Sequence, residues 1–214
     1  MDVIFKGVLE STKNAKNNNG KNYVRNEKFR GLLVIFSNNE KVNDETRGVL
    51  TYSQNNWFFI SVPQYISLKS QKQIQRLVLL LESPHKDEYQ NNQPIRPANG
   101  VTGAKIEALI ASRAKNQWHL STASDYEVVL VNAIQYQTSC YKLLGENWDY
   151  TNRNHVFKLL YNNFQLEDDL KQRLSAIKPH FIVNCVTSQL QSEVANVLLN
   201  FKPNICDIHP SAWK

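Results

Sequence analysis

The sequence predicts an α/β protein: a three-layer sandwich with a mostly parallel central sheet, preceded by a small antiparallel β layer or barrel. Three observations predict it. The stretch RLVLLLESPHK (76–86) holds a continuous apolar run, Leu77 to Leu81, that stops in turn chemistry, as a strand buried on both faces does. Two later runs, EVVLVN (127–132) and HFIVNC (180–185), have the same form. Helical periodicity appears at AKIEALIASRA (104–114) and SQLQSEVANVLLN (188–200), and strands alternating with helices make parallel sheets. The expected division is a β-rich N-terminal extension over 1–70 and an α/β domain over 71–214.

Taken in order, DVIFKGVL (2–9) alternates as a strand does. Residues 11–28 are rich in Asn and Lys without periodicity, which predicts a long exposed loop; the alternative is a basic arm carrying Lys13, Lys16, Lys21, Arg25 and Lys28 along phosphates. GLLVIF (31–36), GVLTYS (48–53) and NWFFISV (56–62) read as a meander of hairpins, with Trp57, Phe58 and Phe59 as core or cross-strand residues. A boundary is expected between Pro63 and Lys72. A polar, proline-containing loop follows from His85 to Asn99, and Gly100 and Gly103 bracket Thr102, the expected cap of the 104–114 helix. One or two helices are expected within 152–178, with Glu167, Asp168 and Asp169 as a solvated first turn. A last strand over 203–208 ends at His209-Pro210-Ser211.

Composition narrows the function. With 214 residues, 42% of them hydrophobic, the chain can build one sizeable core. No apolar run reaches the roughly 18 residues of a membrane span, and MDVIFKGVLE carries no basic-then-apolar export pattern. Three cysteines, Cys140, Cys185 and Cys206, make no disulfide framework. The expectation is an intracellular, cytoplasmic protein with no membrane association. A formal charge of +6 fits a polyanionic partner.

In open α/β sheets, ligands lie beyond the carboxyl ends of the strands. Glu82, Asn132 and His209 each end a predicted strand there. At these residues a resemblance becomes specific: 76–214 looks like the uracil-DNA glycosylase superfamily. Leu81-Glu82-Ser83-Pro84-His85 stands where the iron–sulfur branch has Gly-Glu-Ala-Pro-Gly. Arg96-Pro97-Ala98-Asn99-Gly100-Val101-Thr102-Gly103 has the framework of that branch's Arg-Pro-Phe-Val-Gly-Arg-Ala-Gly. Val128-Val129-Leu130-Val131-Asn132-Ala133 matches the strand ending in the base-reading Asn, and His209-Pro210-Ser211 matches the terminal His-Pro-Ser. There are departures. Ser83 stands where the best-known branch has its catalytic Asp, and Ala98 replaces the stacking Phe, so Tyr89 or Tyr136 would have to stack on a flipped base. The cluster-ligating cysteines are missing, the wedge loop has no counterpart, and Trp213 is the expected short wedge. Residues 1–75 lie outside the resemblance.

What the resemblance implies is a monofunctional DNA N-glycosylase, acting on uracil or a modified pyrimidine flipped from single- or double-stranded DNA. It would act as a monomer, without cofactor or metal, in repair or in defence against foreign DNA. Glu82 and His209 would be catalytic; Ser83, Pro84, His85, Ala98, Gly100, Asn132 and Ser211 would hold the substrate. Cleavage passes through an oxocarbenium-like sugar and an anionic leaving base. A carboxylate suits the first, a hydrogen-bond donor the second, and an amide can read a pyrimidine edge. A catalytically inactive nucleic-acid-binding module of the same fold is the alternative. A zinc site from His180, Cys185, Cys206 and His209 has the right ligand types but no knuckle spacing, and a serine hydrolase lacks its Gly-x-Ser-x-Gly elbow.

Overall fold

A computed structural model of the chain describes residues 14–16, 22–25, 33–35, 41–62, 72–91, 93–136, 154, 157–158, 160–162 and 166–214. The strand expected over 2–9, Cys140, His155 and the 63–71 stretch lie outside these residues. The protein is an α/β sandwich on a six-stranded mixed sheet. Its strands in chain order are β4 (Glu45–Ser53), β5 (Asn56–Ser61), β6 (Gln73–Leu81), β9 (Ser124–Asn132), β10 (Phe181–Asn184) and β11 (Asn204–Cys206). They lie in the spatial order β11-β10-β6-β9-β4-β5. β11, β10, β6 and β9 run parallel, whereas β4 and β5 add an antiparallel edge.

Alternation along β6 assigns the two faces. Leu77, Leu79 and Leu81 pack with Val128, Leu130, Val183 and Cys185 under helix α1 (Val101–Arg113), through its Ile106 and Ile110. Val78 and Leu80 pack with Val129, Val131 and Ile182 under α2 (Leu166–Ile177) and α3 (Gln191–Leu198). Leu77 to Leu80 are fully buried, which is why the run shows no polar alternation. The sheet with helices on both faces makes three layers. Among the described residues, no helix is long and apolar enough to cross a membrane.

Several expectations are corrected. The Asn- and Lys-rich 11–28 stretch is not wholly loop: β1 (Asn14–Lys16) and β2 (Asn22–Arg25) pair antiparallel, and β2 pairs with β3 (Leu33–Ile35) in a separate sheet. A ladder is made by backbone groups, so it needs no apolar period to form. The β4–β5 hairpin does not stand apart with 1–70; β4 hydrogen-bonds to β9 and completes the central sheet. Gln54 and Asn55, with φ of 48° and 60°, make the two-residue turn that brings Ser53 opposite Asn56. Gly48 follows a bulge against β9, and a Cβ there would lie 2.4 Å from the Ile60 carbonyl oxygen. Trp57 is buried and Phe59 partly so, but Phe58 is exposed, as strand alternation requires.

The 85–99 segment is also more ordered than a plain loop. It contains a short 3-10 turn, Lys86–Glu88, and the two-stranded pair β7 (Tyr89–Gln90) and β8 (Gln93–Pro94). Gly100, not Thr102, holds the cap position of α1, which starts three residues before its expected beginning at Ala104. The 188–200 helix divides into a 3-10 turn, Ser188–Leu190, and α3.

Candidate active site at the carboxyl edge of the parallel strands

The sheet order creates a switch point. After β6 the chain crosses through α1 on one face to reach β9; after β10 it crosses through α3 on the other face to reach β11. The two connections leave in opposite directions, and such a divergence opens a crevice at the strand ends. Glu82, one residue past β6, is buried there, and its Oε2 accepts a hydrogen bond from the Thr187 hydroxyl, just past β10. A carboxylate buried at a strand end needs such a donor. Thr187 carries no signal in the sequence, because only the β10–β6 pairing brings it across.

Asn132 ends β9 opposite Leu81 and therefore faces the α1 side. Its amide does not bond Glu82. Nδ2 donates to Glu88 Oε2 at 3.4 Å, and Oδ1 is buried with no hydrogen-bond partner. The end of β9 is clamped from the opposite face: Arg173 of α2 donates to the carbonyls of Asn132 and Ala133, at 3.0 and 3.3 Å, while pairing with Asp44 and Asp169. Asp169 is thus tied into the fold, where a solvated turn was expected. Burial raises the Asp44 carboxyl above its ordinary range despite the adjoining guanidinium of Arg173.

Glu88 is the residue that sequence reasoning passed over. It is 5% exposed and accepts from the His85 backbone N–H at 3.1 Å, from the backbone of Ala98 and from Asn132. Burial pushes its carboxyl up to about 7, and these three hydrogen bonds only partly offset that. A polar loop hides such an acid from any pattern search, since Asp87 and Glu88 look alike in sequence. Ala98, whose backbone bonds Glu88, has φ at 52°, and its carbonyl lies where a Cβ on Gly103 would fall, 1.8 Å away. Gly100 is held tightly as well: a Cβ there would lie 2.9 Å from Asp87 Oδ2. Asn99 Nδ2 donates to the Asp87 carbonyl at 2.9 Å, and Arg96 Nε to Asn99 Oδ1 at 3.0 Å. His85 is half-buried, its Nδ1 3.2 Å from Asp87 Oδ2; Ser83 is half-buried and Pro84 buried. Beneath the same helix, Arg47 pairs with Glu107 and leaves Nη1 buried without a partner.

His209 follows β11 and caps the Pro210–Ala212 turn. Its Nδ1 lies 2.8 Å from Ser211 Oγ and accepts from the Ser211 backbone N–H at 3.3 Å. A backbone N–H can only donate, so in the neutral ring Nε2 carries the proton. The segment is fixed from below. Asp207 accepts from Arg113 and, at 2.9 Å, from Trp118 Nε1; Trp213 Nε1 donates to the Ile208 carbonyl at 3.0 Å. Trp213 is 1% exposed, so it is a core anchor and not a wedge. Tyr136 is buried against the α2–α3 face and is not available to stack on a base; Tyr89 is half-buried.

The comparisons with family models, with curated proteins and with solved structures return no match. The site therefore rests on its own geometry. Among the described residues no group of three or more His, Cys, Asp or Glu is arranged to hold a metal. His180, just before the amino end of β10, accepts from the Arg76 N–H, the whole strand away from Cys185.

Glu88 supplies a test of this geometry by pH. Its folded value, about 7, lies above the ordinary 4.5, so between the two the folded chain holds a proton that the unfolded chain has released. Stability from this group is complete below 4.5 and is lost as pH rises through 7. The shift corresponds to about 3 kcal/mol. Urea unfolding from pH 4.5 to 8.5 is expected to show Glu88→Gln gaining on the wild type by up to that amount. A constant difference across the range would overturn the assignment.

Proposed function

We propose that the chain is a monofunctional DNA glycosylase that hydrolyses the N-glycosidic bond of uracil or a modified pyrimidine in a base turned out of the helix. The observation that carries this reading is the placing of Glu82 at the switch point, bonded to Thr187, with Asn132 ending the neighbouring strand and His209 following β11. Four successive parallel strands thus bring an acid, an amide and an imidazole to one edge of the sheet. The likeness to the uracil-DNA glycosylase superfamily in four ordered motifs supports it further.

In this reading the Glu82 carboxylate positions the attacking water and stabilises positive charge growing on the sugar. His209 presents Nε2–H to the oxygen of the departing base, because the Ser211 N–H occupies Nδ1. Asn132 reads the base edge. Ser83, Pro84, His85, Ala98 and Gly100 belong to the segment between β6 and α1, whose Glu88 bonds this amide, and would hold the substrate; Ser211 holds the imidazole. DNA, single- or double-stranded, is the partner, and the protein acts in the cytoplasm as a monomer.

An end-labelled oligonucleotide with a single uracil, incubated with the full chain and then heated in alkali, tests this. Strand scission at the uracil is the expected result. DNA retarded in a gel but left whole would replace the enzyme with a nucleic-acid-binding module. Neither scission nor retardation, over a panel of modified pyrimidines, would remove the reading.

A further inference from the structure

Asn132 is 1% exposed, yet one of its two polar atoms has no partner. An amide turned end for end has nearly the same shape, so its neighbours decide which atom points where. Here the neighbour is Glu88. Its orientation is set independently by the His85 N–H on Oε1 and by the backbone of Ala98. A carboxylate can only accept, so Nδ2 must turn toward it, and Oδ1 is left as a bare, buried acceptor.

On the glycosylase reading, the resemblance already implies that the Asn132 amide reads the N–H and carbonyl edge of uracil. We infer that Glu88 is the positioning residue that fixes which way this amide faces, and so sets that preference. The imide N–H of such a base answers Oδ1, and its carbonyl can accept the second Nδ2 proton. Cytosine offers an unprotonated ring nitrogen at that place, which would set acceptor against acceptor. A site built around a buried polar atom discriminates strongly, because the wrong ligand leaves that atom unpaired. Asn132 is buried, so a base reaches Oδ1 only when the residues around the amide move aside.

The arrangement depends on the charge of Glu88. Protonated, it gains a donor, and the amide can turn to present Nδ2 instead. Asp87, on its own turn, disfavours the charge; the N–H groups of His85 and Ala98 and the Asn132 amide favour it. Selectivity is therefore highest above neutral pH.

The test uses the full chain, labelled with nitrogen-15, and follows the Asn132 side-chain amide, assigned by its loss in Asn132→Asp. In the wild type this resonance is expected to move with a midpoint near pH 7, and in Glu88→Gln to stay flat. At pH 8, millimolar uracil is expected to shift it and cytosine is not. Glu88→Ala should lower the uracil-to-cytosine preference at least tenfold, in binding of the free bases and in excision from matched oligonucleotides. A wild-type resonance indifferent to pH, or a preference unchanged in Glu88→Ala, overturns the inference; a merely structural Glu88 would lower the unfolding midpoint and leave the preference alone. If the resonance responds to pH and to uracil but no oligonucleotide is cut, the catalytic reading fails and the role of Glu88 stands.

Discussion

Replacing Glu82 with Gln is expected to lower the single-turnover rate of uracil excision by at least about 100-fold, the scale of losing one group that acts on the transition state. Gln has the same shape and still offers Thr187 an acceptor, so the contact between the ends of β6 and β10 is kept. What disappears is the negative charge that, in the proposed mechanism, orients water and balances the positive sugar. The unfolding midpoint should stay close to that of the wild type, which separates this result from misfolding. A Gln variant that cuts at the wild-type rate would show that the carboxylate at the switch point only closes the sheet edge.

Trp213→Ala is expected to cost about 3–5 kcal/mol of stability, the range for emptying a buried aromatic site. The ring lies 5.9 Å from that of Trp118 and has the Arg113 guanidinium 5.3 Å above it. Its Nε1–H satisfies the Ile208 carbonyl, one residue before His209. Lys105 Nζ adds bonds to the carbonyls of Ser211 and Trp213, at 2.7 and 3.1 Å. Truncation therefore loosens the imidazole as well as the core, and excision should fall with stability. Trp213→Phe keeps most of the packing and loses one hydrogen bond, a change of about 1 kcal/mol beyond the smaller volume. Urea titration of the three proteins measures both effects, and an unchanged Trp213→Ala would refute the anchoring role.

The contrast between Trp213 and Leu79 shows how far local pattern reaches. Leu79 sits in a run whose neighbours are all apolar, and such a run is buried wherever the chain goes. Trp213 sits among Ser, Ala and Lys, and nothing adjacent tells whether it faces a duplex or the underside of α1. The edge strands behave like Trp213. β4 and β5 were legible as a hairpin, but nothing local shows that β4 pairs with β9, with a register shift between Thr46 and Gly48. Glu88 is the extreme case. Its neighbours Lys86, Asp87 and Tyr89 read as surface loop, and its burial goes with contacts to Asn132 and the Ala98 backbone that the sequence does not show.

Local pattern alone specifies the buried parallel strands, the helices between them, and the polar residues Glu82 and Asn132 at strand ends. All of these follow from runs and periods a few residues long, which the backbone imposes locally. Long-range packing selects which strand ends lie side by side, which donors meet each buried acid, and which atom of Asn132 is left bare. Those choices depend on contacts such as Glu82 with Thr187 and Asn132 with Glu88, 105 and 44 residues apart, and no local pattern encodes a pairing across that distance.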